Sequence, residues 1–283
     1  MPDARFVEVE GLRLRVSIRG SGPPLLLLNG IGASLELLEQ FRQAIRGHET
    51  IALDLPGVGL SDTTVLPMRF RGYARLVAGA LGVLRYGQID VLGVSWGGAL
   101  AQEFAWRHPA HVRRLVLAAT TYGIPSVPAS PWVLWELATP RRYMSRSHFE
   151  KVAPALYGGV IDVQALVRGL RFGHPPTACG YAGQLLATVG WSSLPYLWRL
   201  RTPTLVITGD CDPIVPVVNA RILASVIPDA RLRVLQGAGH LFLIMQADET
   251  AGLVQEFLAG QERARRGRER FRTRRGRRGS PGP

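Results

Sequence analysis

The sequence predicts an α/β fold, an open and mostly parallel central sheet interrupted by a helical insert. Three observations carry this. Over the first 120 residues, short apolar runs alternate with segments of helical periodicity, the pattern of strands buried on both faces and joined by crossover helices. The alternation stops between about residues 121 and 200, then resumes at Thr204-Leu205-Val206-Ile207-Thr208. Between a strand pattern and a helix pattern stands Gly93-Val94-Ser95-Trp96-Gly97, which is the setting of a sharp strand-to-helix turn that exposes a serine.

The elements follow in order. Phe6–Glu10 and Leu12–Ile18 read as a hairpin around Gly11. Leu25–Leu28 is a continuous apolar strand ending in the glycine loop Asn29-Gly30-Ile31-Gly32. Leu35–Ile45 has helical spacing, and Thr50–Leu53 is a strand followed by Asp54-Leu55-Pro56-Gly57-Val58-Gly59. Tyr73–Leu84 is helical, Ile89–Leu92 a strand, Gly98–Ala105 a helix and Val112–Ala118 a strand. In the insert, Pro125, Pro128, Pro131 and Pro140 break the chain, and aromatic residues recur from Trp132 to Trp198. Arg231–Leu235 is a further strand and Thr250–Leu258 a terminal helix. The organisation is therefore a core of residues 1–120 and 201–262, a helical cap of residues 121–200, and an arginine-rich tail of residues 263–283.

Composition narrows the function classes. At 283 residues and 47% hydrophobic content, the chain can build one large core with an insert. It holds no apolar run long enough for a transmembrane helix, and Met1–Phe6 lacks a signal-peptide pattern. The cytoplasm is the expected compartment. Cys179 and Cys211 make neither a metal spacing nor a disulfide framework, and Cys211 is expected to be packed. A net charge of +13 suggests a nucleic-acid binder until its distribution is seen. Residues 263–278 hold ten arginines and one glutamate, leaving 24 basic and 20 acidic residues in the remainder. The excess is a tail, expected to be disordered. It reads either as a solubilising extension or as a segment attracted to nucleic acid, an acidic surface or anionic lipid.

Ser95 needs a base, and the base needs an orienting acid. His240 is the base by position, since it follows the Arg231–Leu235 strand through the loop Gln236-Gly237-Ala238-Gly239. The loop after the preceding strand offers Asp210 and Asp212; Asp212 is preferred because it lies further along and precedes the rigid Pro213. Asp210 then bonds loop backbone N–H groups. The backbone N–H groups of Trp96 and Ile31 are the expected oxyanion donors. Trp132, Trp135 and Trp191 are expected to shape an apolar acyl channel over Ser95. No metal cluster or cofactor motif is present in the sequence, since G-x-G-x-x-G is missing and serine acyl transfer requires neither.

Longer stretches add a resemblance. They are Asn29–Ala33 with Leu35-Glu36-Leu37, Asp54–Gly59, Tyr86-Gly87-Gln88, Gly93–Gln102 and Leu115–Thr120. In the insert they are Pro140-Arg141-Arg142-Tyr143, Ala153-Pro154 and Tyr157-Gly158-Gly159; beyond it, Gly209, Asp212-Pro213 and Gly239–Ile244. Over residues 6–262 the chain resembles the intracellular depolymerases of medium-chain-length polyhydroxyalkanoates, in the α/β-hydrolase superfamily. The resemblance implies Ser95 as nucleophile, Asp212 as acid and His240 as base. It also implies a granule-associated enzyme cleaving esters between 3-hydroxyacyl units. Cys211 stands where an acidic residue is expected, and the tail is more basic than the family needs. Alternatives are a general esterase or lipase with the same triad, a C–C or amide hydrolase, for which no local feature speaks, and a non-catalytic nucleic-acid or granule-binding protein acting through the tail.

Overall fold

The computed structural model describes residues 4–64, 66–169 and 174–260. The tail from Arg263 onward, with the disorder expected of it, lies outside the described residues. Eight strands form one sheet: β1 (Ala4–Val9), β2 (Leu12–Arg19), β3 (Pro24–Leu28), β4 (Glu49–Leu53), β5 (Ile89–Val94), β6 (Val112–Ala118), β7 (Thr204–Gly209) and β8 (Ala230–Leu235). Their order is β1-β2-β4-β3-β5-β6-β7-β8. β1 and β2 pair antiparallel, β2 is antiparallel to β4, and β3 through β8 are mutually parallel. The β1–β2 hairpin closes through Glu10 and Gly11, both at positive φ, the two-residue turn whose twist matches that of the strands.

Helices α1 (Glu39–Ala44), α2 (Phe70–Val83) and α3 (Trp96–Arg107) alternate with the strands. The period-2 geometry of a strand splits the leucine run of β3 between two cores. Leu26 and Leu28 join the core under α2 and α3, while Leu25 and Leu27 join the opposite core with Phe41 of α1. After β6 come α4 (Pro131–Leu137), α5 (Arg141–Met144), α6 (Arg146–Tyr157), α7 (Val163–Gly169), α8 (Ala178–Thr188) and α9 (Leu194–Leu197). These six are the helices of the insert among the described residues. Val133, Phe149, Val152, Leu156 and Leu166 give it a core of its own. The chain ends its described part with α10 (Val217–Val226), α11 (Phe242–Met245) and α12 (Ala247–Leu258). No described helix is long and apolar enough to cross a membrane.

Two details differ from the sequence reading. Leu35–Leu38 is a 3₁₀ turn that precedes α1 rather than the start of one long helix. Asp54 Oδ1 accepts from the Leu35 N–H at 2.7 Å, which fixes the chain at that point. Helix α10 is the second, a helix that the sequence reading did not assign; its run Val217-Val218-Asn219-Ala220-Arg221-Ile222 holds β-branched residues that weaken a helical pattern.

Candidate active site

The parallel strands deliver their carboxyl ends to one edge of the sheet, where ligand-binding loops of open α/β sheets collect. Ser95 sits between β5 and α3 with φ 54° and ψ −118°. A non-glycine residue in this region is strained, and it persists only where its surroundings fix it. Here the Ser95 N–H donates to Ala118 O at 2.9 Å, and the Ser95 carbonyl accepts from Thr120 Oγ1 at 2.7 Å and from the Gly98 N–H at 2.9 Å. The turn also needs glycine behind it. A Cβ on Gly97 would lie 2.2 Å from the Leu28 carbonyl oxygen, and one on Gly93 would lie 2.3 Å from the Gly97 oxygen. The serine is half-buried among buried neighbours.

His240 follows β8 and is buried. Its Nδ1 lies 2.8 Å from Asp212 Oδ2. An ionised carboxylate only accepts, so Nδ1 carries the proton and Nε2 is the free, basic nitrogen. The other Asp212 oxygen, Oδ1, accepts from the N–H groups of Ile214 at 2.8 Å and Val215 at 2.9 Å. Asp210 points elsewhere: its Oδ1 accepts from the Gly237 N–H at 2.7 Å and braces the loop that carries His240. The His240 N–H donates to the Tyr157 carbonyl at 2.7 Å, and the two rings stack with centroids 6.3 Å apart. His240 is thus attached to the last residue of α6.

The glycine loop after β3 meets the same place. A Cβ on Gly30 would stand 3.7 Å from Ser95 Cβ. The Ile31 N–H has no acceptor among the described residues. The insert holds this loop from above. Tyr143 Oη donates to the Ile31 carbonyl at 2.8 Å, and Gln184 Oε1 accepts from the Gly32 N–H at 2.7 Å. The Gln184 carbonyl in turn accepts from Trp96 Nε1 at 2.8 Å. One residue of α8 therefore ties together the segments bearing Ile31 and Trp96.

Two chambers meet at Ser95. The larger, of about 640 Å³, is bounded by Phe70, Trp96, Leu134, Leu185 and Trp191. The smaller, of about 70 Å³, is bounded by Gly30, Arg142, Tyr143, Tyr157 and His240. Ser95, Ile31, Leu137 and Ile214 line both.

Of the three tryptophans expected in the acyl channel, only Trp191 lines a chamber. Its ring packs against Phe70, and its Nε1 donates to Glu103 Oε2 at 3.2 Å. Trp132 and Trp135 are a correction. They are 42% and 70% exposed and line neither chamber; Val133 is the residue of this stretch that is buried, while Leu134, itself half exposed, and Leu137 reach the larger chamber. Cys211 is a second correction: it is exposed rather than packed, and a hydrogen bond to Asp210 pushes its thiol pKa up, away from the reactive thiolate. Thr120, Gln184, Tyr157 and Arg142 went unnoticed as site residues in the sequence. Arg142, Tyr143 and Tyr157 carried one available signal, since they fall within the insert stretches that bear the family resemblance.

Comparison with known proteins agrees with this architecture. The chain belongs to the alpha/beta hydrolase family, whose model matches residues 25–253. Within it, the chain is similar to the poly(3-hydroxyalkanoate) depolymerase of Ectopseudomonas oleovorans, with 45% identity over 92% of this chain and 94% of that protein. The 2-hydroxymuconate semialdehyde hydrolase of Pseudomonas putida is 30% identical over 90% of this chain and 94% of its own length. Among solved structures, the enol-lactonase from Burkholderia xenovorans LB400 superposes with a TM-score of 0.77 at 25% identity, covering 90% of this chain and all of that one.

Proposed function

We propose that this chain is a serine esterase that cleaves medium-chain-length poly(3-hydroxyalkanoate) inside the cell. The observation that carries the chemistry is the Asp212–His240 hydrogen bond beside a chamber lined by both Ser95 and His240. Ser95 Oγ attacks the ester carbonyl while His240 Nε2 takes its proton. Asp212 holds the imidazole and stabilises its cationic form. The N–H groups of Ile31 and Trp96 receive the developing oxyanion. His240 then protonates the departing alkoxide, and the acyl group remains on Ser95. Water repeats the sequence, giving up a proton to His240 and releasing the acid.

The substrate class is supported by the 45% identical depolymerase and by the size and character of the larger chamber. At about 640 Å³ it lies within the range of ligand sites and exceeds what an acetyl group needs. Its lining of Phe70, Leu134, Leu185 and Trp191 suits an alkyl chain. The outward tryptophans of α4, with Leu134 and Met144 also exposed, supply an apolar face for a polyester granule in the cytoplasm.

The deciding experiment offers the purified protein a medium-chain polyester suspension, a short-chain polyester and soluble p-nitrophenyl esters. Release of 3-hydroxyacyl monomers or short oligomers from the medium-chain polymer, identified by mass, is the expected result. Preference for esters of about eight carbons over acetyl esters should accompany it. No release from amorphous polymer, together with good turnover of glycerides, would establish a general lipase instead.

A further inference from the structure

The smaller chamber contains a charge that the mechanism above does not use. Arg142 lines it together with Ser95 and His240. Its side chain is only 2% exposed, yet its guanidinium remains cationic at any pH the fold survives. A buried cation ordinarily has an anionic partner, because an isolated one is costly. No carboxylate pairs with Arg142 among the described residues. Nη1 donates to Tyr181 Oη at 2.8 Å and makes longer contacts with the carbonyls of Thr139 and Glu136 at 3.3 and 3.4 Å. The rings of Tyr143 and Tyr181 lie 4.7 and 5.5 Å from the guanidinium carbon. Nε, which is shielded from solvent, has no acceptor among the described residues, and the neutral hydroxyl of Tyr157 also lies against the guanidinium. Neutral oxygens and aromatic faces thus hold the cation without neutralising it.

We propose that Arg142 binds a carboxylate on the leaving-alcohol side of the ester, so that the enzyme works from the carboxyl end of its substrate. This rests on the reading of the chain as a hydroxyalkanoate esterase. Size argues for the assignment. The smaller chamber has room for only a few water-sized groups, enough for the terminal carboxylate and the methylene that joins it to C3 but not for a chain continuing beyond that carboxyl; the alkyl branch on C3 must lie outside it, toward the larger chamber that also meets Ser95. Chemistry argues for it too. A planar guanidinium matches a carboxylate better than any other common anion-binding side chain. In a terminal 3-hydroxy acid the carboxylate carbon is three bonds from the ester oxygen that Ser95 displaces. That oxygen leaves as an alcohol, protonated by His240, while the acyl part of the chain stays in the larger chamber. An internal ester of the polymer has no charge at this position and leaves Arg142 unpartnered.

The test uses the dimeric ester of 3-hydroxyoctanoate as its free acid and as its methyl ester. The wild-type enzyme should show kcat/KM about 10-fold or more higher for the free acid, the scale of one charge-assisted contact. Arg142→Met should bring the ratio close to one, whatever happens to the absolute rates, and Arg142→Lys should restore part of it. A wild-type ratio near one overturns the proposal, as does a ratio unchanged in Arg142→Met. Should the variant fail to fold, inhibition of the wild-type enzyme decides. 3-Hydroxyoctanoate should inhibit p-nitrophenyl octanoate hydrolysis at about a tenth of the concentration that 3-hydroxyoctanamide requires; equal inhibition overturns the proposal. If neither dimer is cleaved while glycerides are, the polyester reading fails. The same pair of inhibitors still decides whether the chamber takes a carboxylate.

Discussion

The strain at Ser95 and the bond between His240 and Asp212 assign different work to adjacent residues. A backbone at φ 54° costs about 1–3 kcal/mol in a non-glycine residue. The hydrogen bond its N–H donates to the Ala118 carbonyl and the one its carbonyl accepts from Thr120 hold it there. Ser95→Ala keeps the backbone and removes only the hydroxyl proposed as nucleophile, so kcat on a soluble ester should fall by roughly 10³-fold or more with the melting temperature little changed; His240→Ala should do the same. Asp212→Asn should cost far more activity than Asp210→Asn, because only Asp212 touches the imidazole. Steady-state kinetics on the four variants check this, and the reverse order for the aspartates would reassign the acid. Ser95 and His240 were legible because fold order and loop glycines mark them. Arg142 was not: an arginine in Pro140-Arg141-Arg142-Tyr143 reads as a solvated face, and only tertiary packing buries it.

At the scale of elements, the turn after β5 depends on how closely α3 approaches β3. Gly97→Ala puts a methyl group 2.2 Å from a backbone oxygen, with no flexible side chain able to yield. The strand end must move, at a cost of about 1–3 kcal/mol, and Ser95 moves with it. Thermal melting and soluble-ester kinetics should both show the loss, in contrast to Ser95→Ala. Helix α4 shows the limit of pattern reading. Its sequence Pro131-Trp132-Val133-Leu134-Trp135 is apolar throughout, so composition cannot say which side faces in. Val133 packs into the insert's own core with Phe149 and Leu156, and the tryptophans on either side stay outside. Trp132→Ser with Trp135→Ser should therefore weaken adsorption to medium-chain polyester several-fold and spare kcat on p-nitrophenyl octanoate. Sedimentation beside kinetics separates the two effects. The strands β3, β5, β6 and β7 were readable because burial on both faces favours apolar runs, interrupted by charge only at Asp90 in β5 and at Arg113 and Arg114 near the start of β6. Helix α10 was not, since its β-branched residues contradict the helix that β7 and β8 impose on it.

For the whole molecule, charge and catalysis are separate in sequence. The ten arginines of residues 263–278 follow the last described helix. Removing the chain after Glu262 should preserve kcat on a soluble ester and reduce salt-sensitive adsorption to an anionic surface or nucleic acid. Lost turnover with adsorption unchanged would put the tail in the catalytic unit. The insert cannot be separated in this way. The peptide N–H of His240 is bonded to the end of α6, and its imidazole stacks on the same tyrosine. Under the proposed mechanism, any excursion that lifts α6 from the sheet edge would disarm the base in the same movement. An open molecule would then be an idle one, and a polymer chain would have to enter by a route that leaves α6 seated. The exchange rate of a single amide proton, that of His240, would clock how often that contact breaks.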